Sequence, residues 1–143
     1  MEEKAVKTLS DYERGFIEGV IDGEGSISLY KYKRKDRKRG WGFDIRVQIG
    51  NTNKRLLEKV KEACDGGSVY EAGITSAGKT FYMYLMPRSL IRNIFPQLEL
   101  VVKEEQRILL LEALYLLKKH SSYHTPYNEQ LGQIAEDMKE LNK

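Results

Sequence analysis

The sequence predicts an α+β fold, ordered helix, hairpin, helix, hairpin and then further helices. Apolar residues recur at helical spacing in some segments and at a period of two in others, and the two kinds of segment alternate along the chain. The strand-like segments also come in pairs joined by short turns. Two hairpins whose apolar faces need cover predict one four-stranded antiparallel sheet with helices on a single side and an additional C-terminal helix. At 143 residues the chain is long enough for one domain, 1–143, with its own core.

Each element has a local cause. Ser10 followed by Glu13 has capping-box spacing and opens a helix from about Asp11 to Gly23 through Tyr12, Phe16, Val20 and Ile21. After Gly25 the period becomes two, with Ile27 and Leu29 on one face and Ser28, Tyr30, Tyr32 and Arg34 on the other. A basic turn around Gly40 leads into FDIRVQIG, where Phe43, Ile45, Val47 and Ile49 alternate with Asp44, Arg46 and Gln48. From Asn53, the positions Leu56, Leu57, Val60, Ala63 and Cys64 return to helical spacing and stop at Gly66 and Gly67, as a glycine C-cap requires. Ser68 to Ala72 and Thr80 to Met86 form the second hairpin, with Phe81, Met83 and Leu85 expected toward the core and Tyr82 and Tyr84 away from it. Pro87 and Pro96 bracket a short helix. A long apolar helix runs from about Lys103 to Lys119, with Lys118, Lys119 and His120 suited to its C-terminal dipole. A last helix starts after Thr125-Pro126 and presents Tyr127, Leu131, Ile134, Met138 and Leu141.

Composition narrows the function classes. Charged residues make up 31% of the chain beside ordinary apolar content, which describes a folded domain. No apolar run is long enough for a bilayer, and MEEKAVKTLSDYE lacks a signal-peptide layout, so no membrane partner is expected and the location is intracellular. Cytoplasm, nucleoid and organelle are not distinguished. Cys64, the single cysteine, reads as a small buried residue, and with two scattered histidines there is no zinc-type cluster.

The open face of the expected sheet carries Ser28, Tyr30, Tyr32, Arg34, Asp44, Arg46, Gln48, Ser68, Tyr70, Tyr82 and Tyr84. Arg and Gln on a β-ribbon can read guanine and adenine edges bidentately in a major groove. The hairpin tip from Lys31 to Arg39, KYKRKDRKR, holds seven basic residues and one acidic residue, and Arg37, Lys38 and Arg39 there suit phosphate contact. A solvated sheet face and a solvated tip account for the same patterns without a ligand.

The stretch FIEGVIDGEGS carries the sharpest chemistry. Gly15, Gly19 and Gly23 lie on one helix face and cost on the order of 2 to 3 kcal/mol relative to alanines. Such glycines either admit a second backbone at close range or pack the helix tightly on its own core. Asp22 and Glu24 sit at the helix C-terminus, where negative charge is disfavoured unless a cation is bound. Carboxylates and backbone carbonyls are hard ligands suited to magnesium. Asp22 can instead cap turn amides, leaving Glu24 as the ligand, and that allocation is favoured.

IEGVIDGEG, Ile17 to Gly25, resembles the signature of the LAGLIDADG homing endonucleases, with Gly19, Ile21, Asp22 and Gly25 matching letter for letter. The order of elements is similar across nearly the whole chain. The resemblance implies a saddle-shaped sheet in the DNA major groove and signature helices paired about a two-fold axis. With one signature copy it implies an intron-encoded homodimer acting on a pseudo-palindromic double-stranded DNA site and leaving short 3′ overhangs. It further implies Mg2+ as cofactor, with Mn2+ or Ca2+ able to substitute for binding. The same resemblance implies Glu24 and the Gly23 carbonyl as metal ligands, Asn51 as the residue that positions water, and Lys103 as the basic residue near the scissile phosphate. Lys54 or Arg55 fills another basic position. Two departures stand out: Glu replaces Asp at position 24, and Glu18 stands where the signature has alanine. The alternatives on the same fold are a catalytically silent DNA-binding regulator and an intron RNA maturase, which would add RNA as a partner.

Overall fold

The computed structural model describes residues 7–33, 41–119 and 128–143. Ser10 begins the first helix as its sequence requires. Its hydroxyl accepts from the Glu13 amide at 3.1 Å while the Glu13 carboxylate accepts from the Ser10 amide at 2.9 Å. The elements that follow are α1 (Asp11–Glu24), β1 (Gly25–Lys33), β2 (Trp41–Asn51), α2 (Lys54–Cys64), β3 (Ser68–Ile74) and β4 (Thr80–Met86). Then come α3 (Arg88–Ile94), a 3-10 turn (Phe95–Gln97), α4 (Glu104–Lys119) and α5 (Asn128–Leu141). The sheet has four strands in the order β1-β2-β4-β3, and β4 runs antiparallel to both β2 and β3. The α+β architecture expected from the sequence is the one observed.

The chain divides into two compact units, one of residues 1–26 and 47–103 and the other of 27–46 and 104–143. In the first, α1 buries Ile17 and Ile21, and α2 buries Leu57, Val60 and Cys64. Tyr12, expected on the apolar stripe of α1, is 77% exposed and stacks its ring on Phe16 instead. The segment before α1 is fastened by Gln97, which accepts from the Leu9 amide and donates to the Lys7 carbonyl, and by Lys7, which donates to Glu13 and to the Ala63 carbonyl.

Two expectations for this unit are corrected. The residue that ends α2 in the left-handed region is Asp65, at φ 56°, rather than a glycine. Gly67 follows at φ 96°, and the ring of Tyr84 lies where a side chain on Gly67 would be. That seat explains the second correction, the facing of β4. Tyr84 and Met86 are buried, whereas Phe81, Met83 and Leu85 are half-exposed. In TFYMYLM both alternating sets are apolar or aromatic, so period alone cannot choose between the faces. Tyr84 decides it: its hydroxyl donates to the Gly66 carbonyl at 2.8 Å, so a fully buried phenol meets its polar need. Burial pushes the adjacent Cys64 thiol up to about 11, and the cysteine serves as core.

In the second unit, Ile27 and Leu29 of β1 and Phe43 and Ile45 of β2 are buried, as expected. Leu110, Ala113, Leu114 and Leu117 of α4 and Leu131, Ile134 and Met138 of α5 are also in its core. Asn142 donates to the Ile27 carbonyl at 2.9 Å and fastens the end of α5 to β1. The expected turn at Gly40, the basic residues Arg34, Arg37, Lys38 and Arg39, the cap at Thr125-Pro126, Tyr127 and His120 lie outside the described residues, as do the side chains of Lys118 and Lys119. Among the described residues no helix is long and apolar enough to cross a membrane.

Candidate functional site

The acidic end of α1 is a junction between the helix and a segment far along the chain. Asp22 accepts three backbone amides, from Val101 at 2.8 Å and from Val102 and Lys103 at 3.0 Å each. One turn earlier Glu18 accepts the Glu99 amide at 2.6 Å. The two carboxylates, four residues apart and so on one helix face, hold the approach to α4 against α1. Lys103 completes the junction by donating its ammonium to the Asp22 carbonyl at 2.6 Å, a C-terminal carbonyl with no partner inside the helix. Asp22 is thus the turn-maker that the sequence favoured. Glu18, whose placement was unaccounted for, has a defined task that its sequence neighbours could not disclose.

Glu24 is different. Its carboxylate is exposed and has no hydrogen bond or ion pair among the described residues. It stands in the last turn of α1 with Gly23, a turn that contains no basic residue of its own. This is the donor set of a hard cation, but an incomplete one. Among the described residues no three carboxylate, imidazole or thiolate groups converge, while magnesium requires six oxygens. One chain offers a cation the Glu24 carboxylate and a last-turn carbonyl such as that of Gly23, leaving the other positions to water, a phosphate or a second chain.

Gly15, Gly19 and Gly23 are all exposed, and a Cβ built on any of them meets nothing within 4 Å. The helix therefore does not use them to pack on its own core. Asn51 closes a local turn, its side-chain oxygen accepting from the Asn53 amide at 2.8 Å, and its side-chain nitrogen has no partner among the described residues. Asn53 in turn caps α2. Lys54 lies over the Tyr82 ring at 5.7 Å and pairs with Glu58 at 3.8 Å, a contact that is solvent-exposed and weak. Arg55 is exposed.

The sheet residues expected to face away from the helices divide into two groups, one in each unit. On β1 and β2, Ser28, Tyr30, Asp44 and Arg46 alternate with buried residues as expected, and Tyr32 follows Tyr30 by two along β1, beyond an exposed Lys31. The Arg46 guanidinium lies 4.7 Å from the centroid of the Tyr30 ring, and Tyr30 neighbours Tyr32 at 6.1 Å. In the other unit, Gln48, Ser68 and Tyr70 keep their expected face, paired with Leu85 and Met83 of β4. Tyr82 and Tyr84 do not. Tyr84 is fully buried and pairs with Ile49, while Tyr82 pairs with Asn51 under Lys54, so both belong to the helix-covered face. Phe81, Met83 and Leu85 take the open positions, and sequence reasoning missed them because their apolar character argued for the core.

Comparison with known proteins fits this geometry. The family model described as LAGLIDADG endonuclease matches residues 17–115. A probable intron-encoded endonuclease, Cox1-I1b of Schizosaccharomyces pombe, is 25% identical over 132 residues. That match covers 90% of this chain but only 34% of the yeast protein, so the chain spans about a third of that relative's length. Among solved structures, the archaeal intron-encoded homing endonuclease I-Vdi141I complexed with DNA is similar at a TM-score of 0.81 and 22% identity, over 93% of this chain and 86% of that one. I-LtrWI bound to its target DNA matches at 0.74 and 16% identity, over 95% of this chain and 47% of that one. I-CvuI with a DNA target matches at 0.69 and 15% identity, over 92% and 85%. With the signature on α1, the element order and the family model agreeing over most of its length, this chain belongs to the LAGLIDADG endonuclease family.

Proposed function

We propose that the chain is a site-specific, divalent-metal-dependent double-strand DNA endonuclease that works as a homodimer on a pseudo-palindromic site, with Mg2+ as cofactor and 3′ overhangs as products. The observation that carries this reading is the exposed carboxylate of Glu24, without a partner among the described residues, at the carbonyl end of α1, next to a glycine face open to a second backbone. Two copies meeting through Gly15, Gly19 and Gly23 would bring their Glu24 carboxylates together, completing between them a donor set that one chain lacks. A bound magnesium ion supplies activation of water and neutralisation of charge on the scissile phosphate. Lys103, held at the same helix end by the Asp22 carbonyl, adds fixed positive charge near a phosphate seated there. Asn51 has an amide nitrogen without a partner among the described residues and so available to orient water, and Lys54, three residues on, contributes a further basic group. The Tyr30, Arg46 and Gln48 positions supply base-edge contacts, and the basic tip supplies phosphate contacts.

The test begins with selection of preferred sites from random duplexes in Ca2+, followed by separate measurement of binding and cleavage in Mg2+. Wild type should cut the selected duplex, and Glu24→Gln should bind it with cutting reduced about a thousandfold or more. Wild-type binding without cutting would instead identify a DNA-binding regulator. Unchanged cutting by the variant would remove Glu24 from the mechanism.

A further inference from the structure

The face of β4 opposite Tyr84 is unusual for a surface meant to meet a polyanion. The register of the sheet puts Leu85 beside both Gln48 and Ser68, and Met83 beside both Gly50 and Tyr70. Phe81 lies on the same side, its ring over the backbone of Gly50, where any side chain on that glycine would collide with it. All three apolar side chains are half-exposed, and Tyr70 beside them is 46% exposed. No charged residue occupies these paired positions. The arrangement is a strip of phenyl, thioether and isobutyl groups edged by the Gln48 amide and the Ser68 and Tyr70 hydroxyls.

We infer that Phe81, Met83 and Leu85 read thymine methyl groups in the major groove, so that the part of each half-site under β4 is specified as A·T pairs by apolar contact. This rests on the proposed DNA-cleaving function and gives it a sequence preference. The chemistry is selective. In the major groove, thymine alone among the four bases presents a methyl group, while guanine and cytosine present acceptors and a donor that these side chains cannot satisfy. Covering an unsatisfied base edge carries a desolvation cost, whereas covering a methyl group is favourable. Met83, unbranched and adaptable, can follow the groove floor, and Gln48 at the rim can pair with the adenine edge.

Deoxyuridine provides the test, because it keeps every base-pairing atom of thymine and lacks only the methyl. In duplexes selected by the wild-type protein, each thymine is replaced singly by deoxyuridine and the affinity measured. Contiguous positions in each half-site should lose about threefold to fivefold per methyl. Met83→Gln, an exposed-face substitution, should abolish that loss at its own position and shift selection there toward adenine, with thermal unfolding unchanged. Leu85→Gln should do the same at a neighbouring position. Specific binding that is indifferent to deoxyuridine would overturn this inference while leaving the endonuclease reading intact. Deoxyuridine losses unaffected by both variants would overturn it too, since the methyls would then be read elsewhere. Absence of any selected sequence would overturn the endonuclease reading as well. Self-association that Met83→Gln abolishes, with DNA affinity unchanged, would assign the strip to a second copy of the chain and overturn thymine reading.

Discussion

Asp22 and Glu24, two residues apart, show how position on a helix end assigns different work to similar groups. Asp22 turns toward the residue 101–103 segment and satisfies three amides, while Glu24 is exposed and has no ion pair among the described residues. Asp22→Asn keeps the size but turns one acceptor into a donor facing an amide, so it should cost about 2 kcal/mol. Glu18→Gln retains an acceptor for the single Glu99 amide and should cost less than about 1 kcal/mol. Urea unfolding of both variants checks the order. In the cleavage assay Asp22→Asn should also slow cutting by about a hundredfold at saturating DNA, because Lys103 loses its fixed place. Equal stability of the two variants would show that the Asp22 bonds are not what holds the segment.

At the level of elements, α1 is the best-specified piece of the chain. Its capping box and the Lys7 ammonium hold the Glu13 carboxyl down at about 2, well below the usual 4.5, the Ser10 amide being the larger cause. A depressed folded-state value means stability that is fully present above pH 4.5 and lost as pH falls toward 2. The melting temperatures of wild type and Glu13→Gln should therefore differ by a constant amount above pH 5 and converge between pH 4.5 and 2. A gap independent of pH throughout would show that packing, and not the charge, is what the glutamate contributes. This helix was legible in the sequence because every signal is local: the cap, the 3.6-residue stripe and the glycine-acid ending lie within fifteen residues of one another. The facing of β4 was not, because Phe81, Met83 and Leu85 compete with Tyr82, Tyr84 and Met86 on equal terms until Gly67 and the Gly66 carbonyl are brought against Tyr84. The same applies to the site. The capping of amides by Asp22 was legible because a short carboxylate at a helix end suits it, but the role of Glu18 depends on an amide 81 residues away.

For the whole molecule, the exposed glycines set up a contrast between stability and assembly. A Cβ at Gly19 meets nothing in one chain, so Gly19→Ala should stabilise an isolated protomer by roughly 0.5 to 1 kcal/mol through helix propensity alone. If two α1 helices meet backbone to backbone, the same methyl group separates them. Sedimentation should then show weakened self-association in a protein whose protomer is more stable. Stabilisation with association unchanged would remove the glycine face from the interface. The junction at Asp22 bears on the order in which the protein is made. Its hydrogen bonds join residues 79 to 81 apart, so the end of the signature helix acquires its anchor and its ammonium only after Lys103 has left the ribosome. A nascent or truncated chain ending before Glu99 carries the signature helix in full yet lacks every hydrogen bond of the junction at its acidic end.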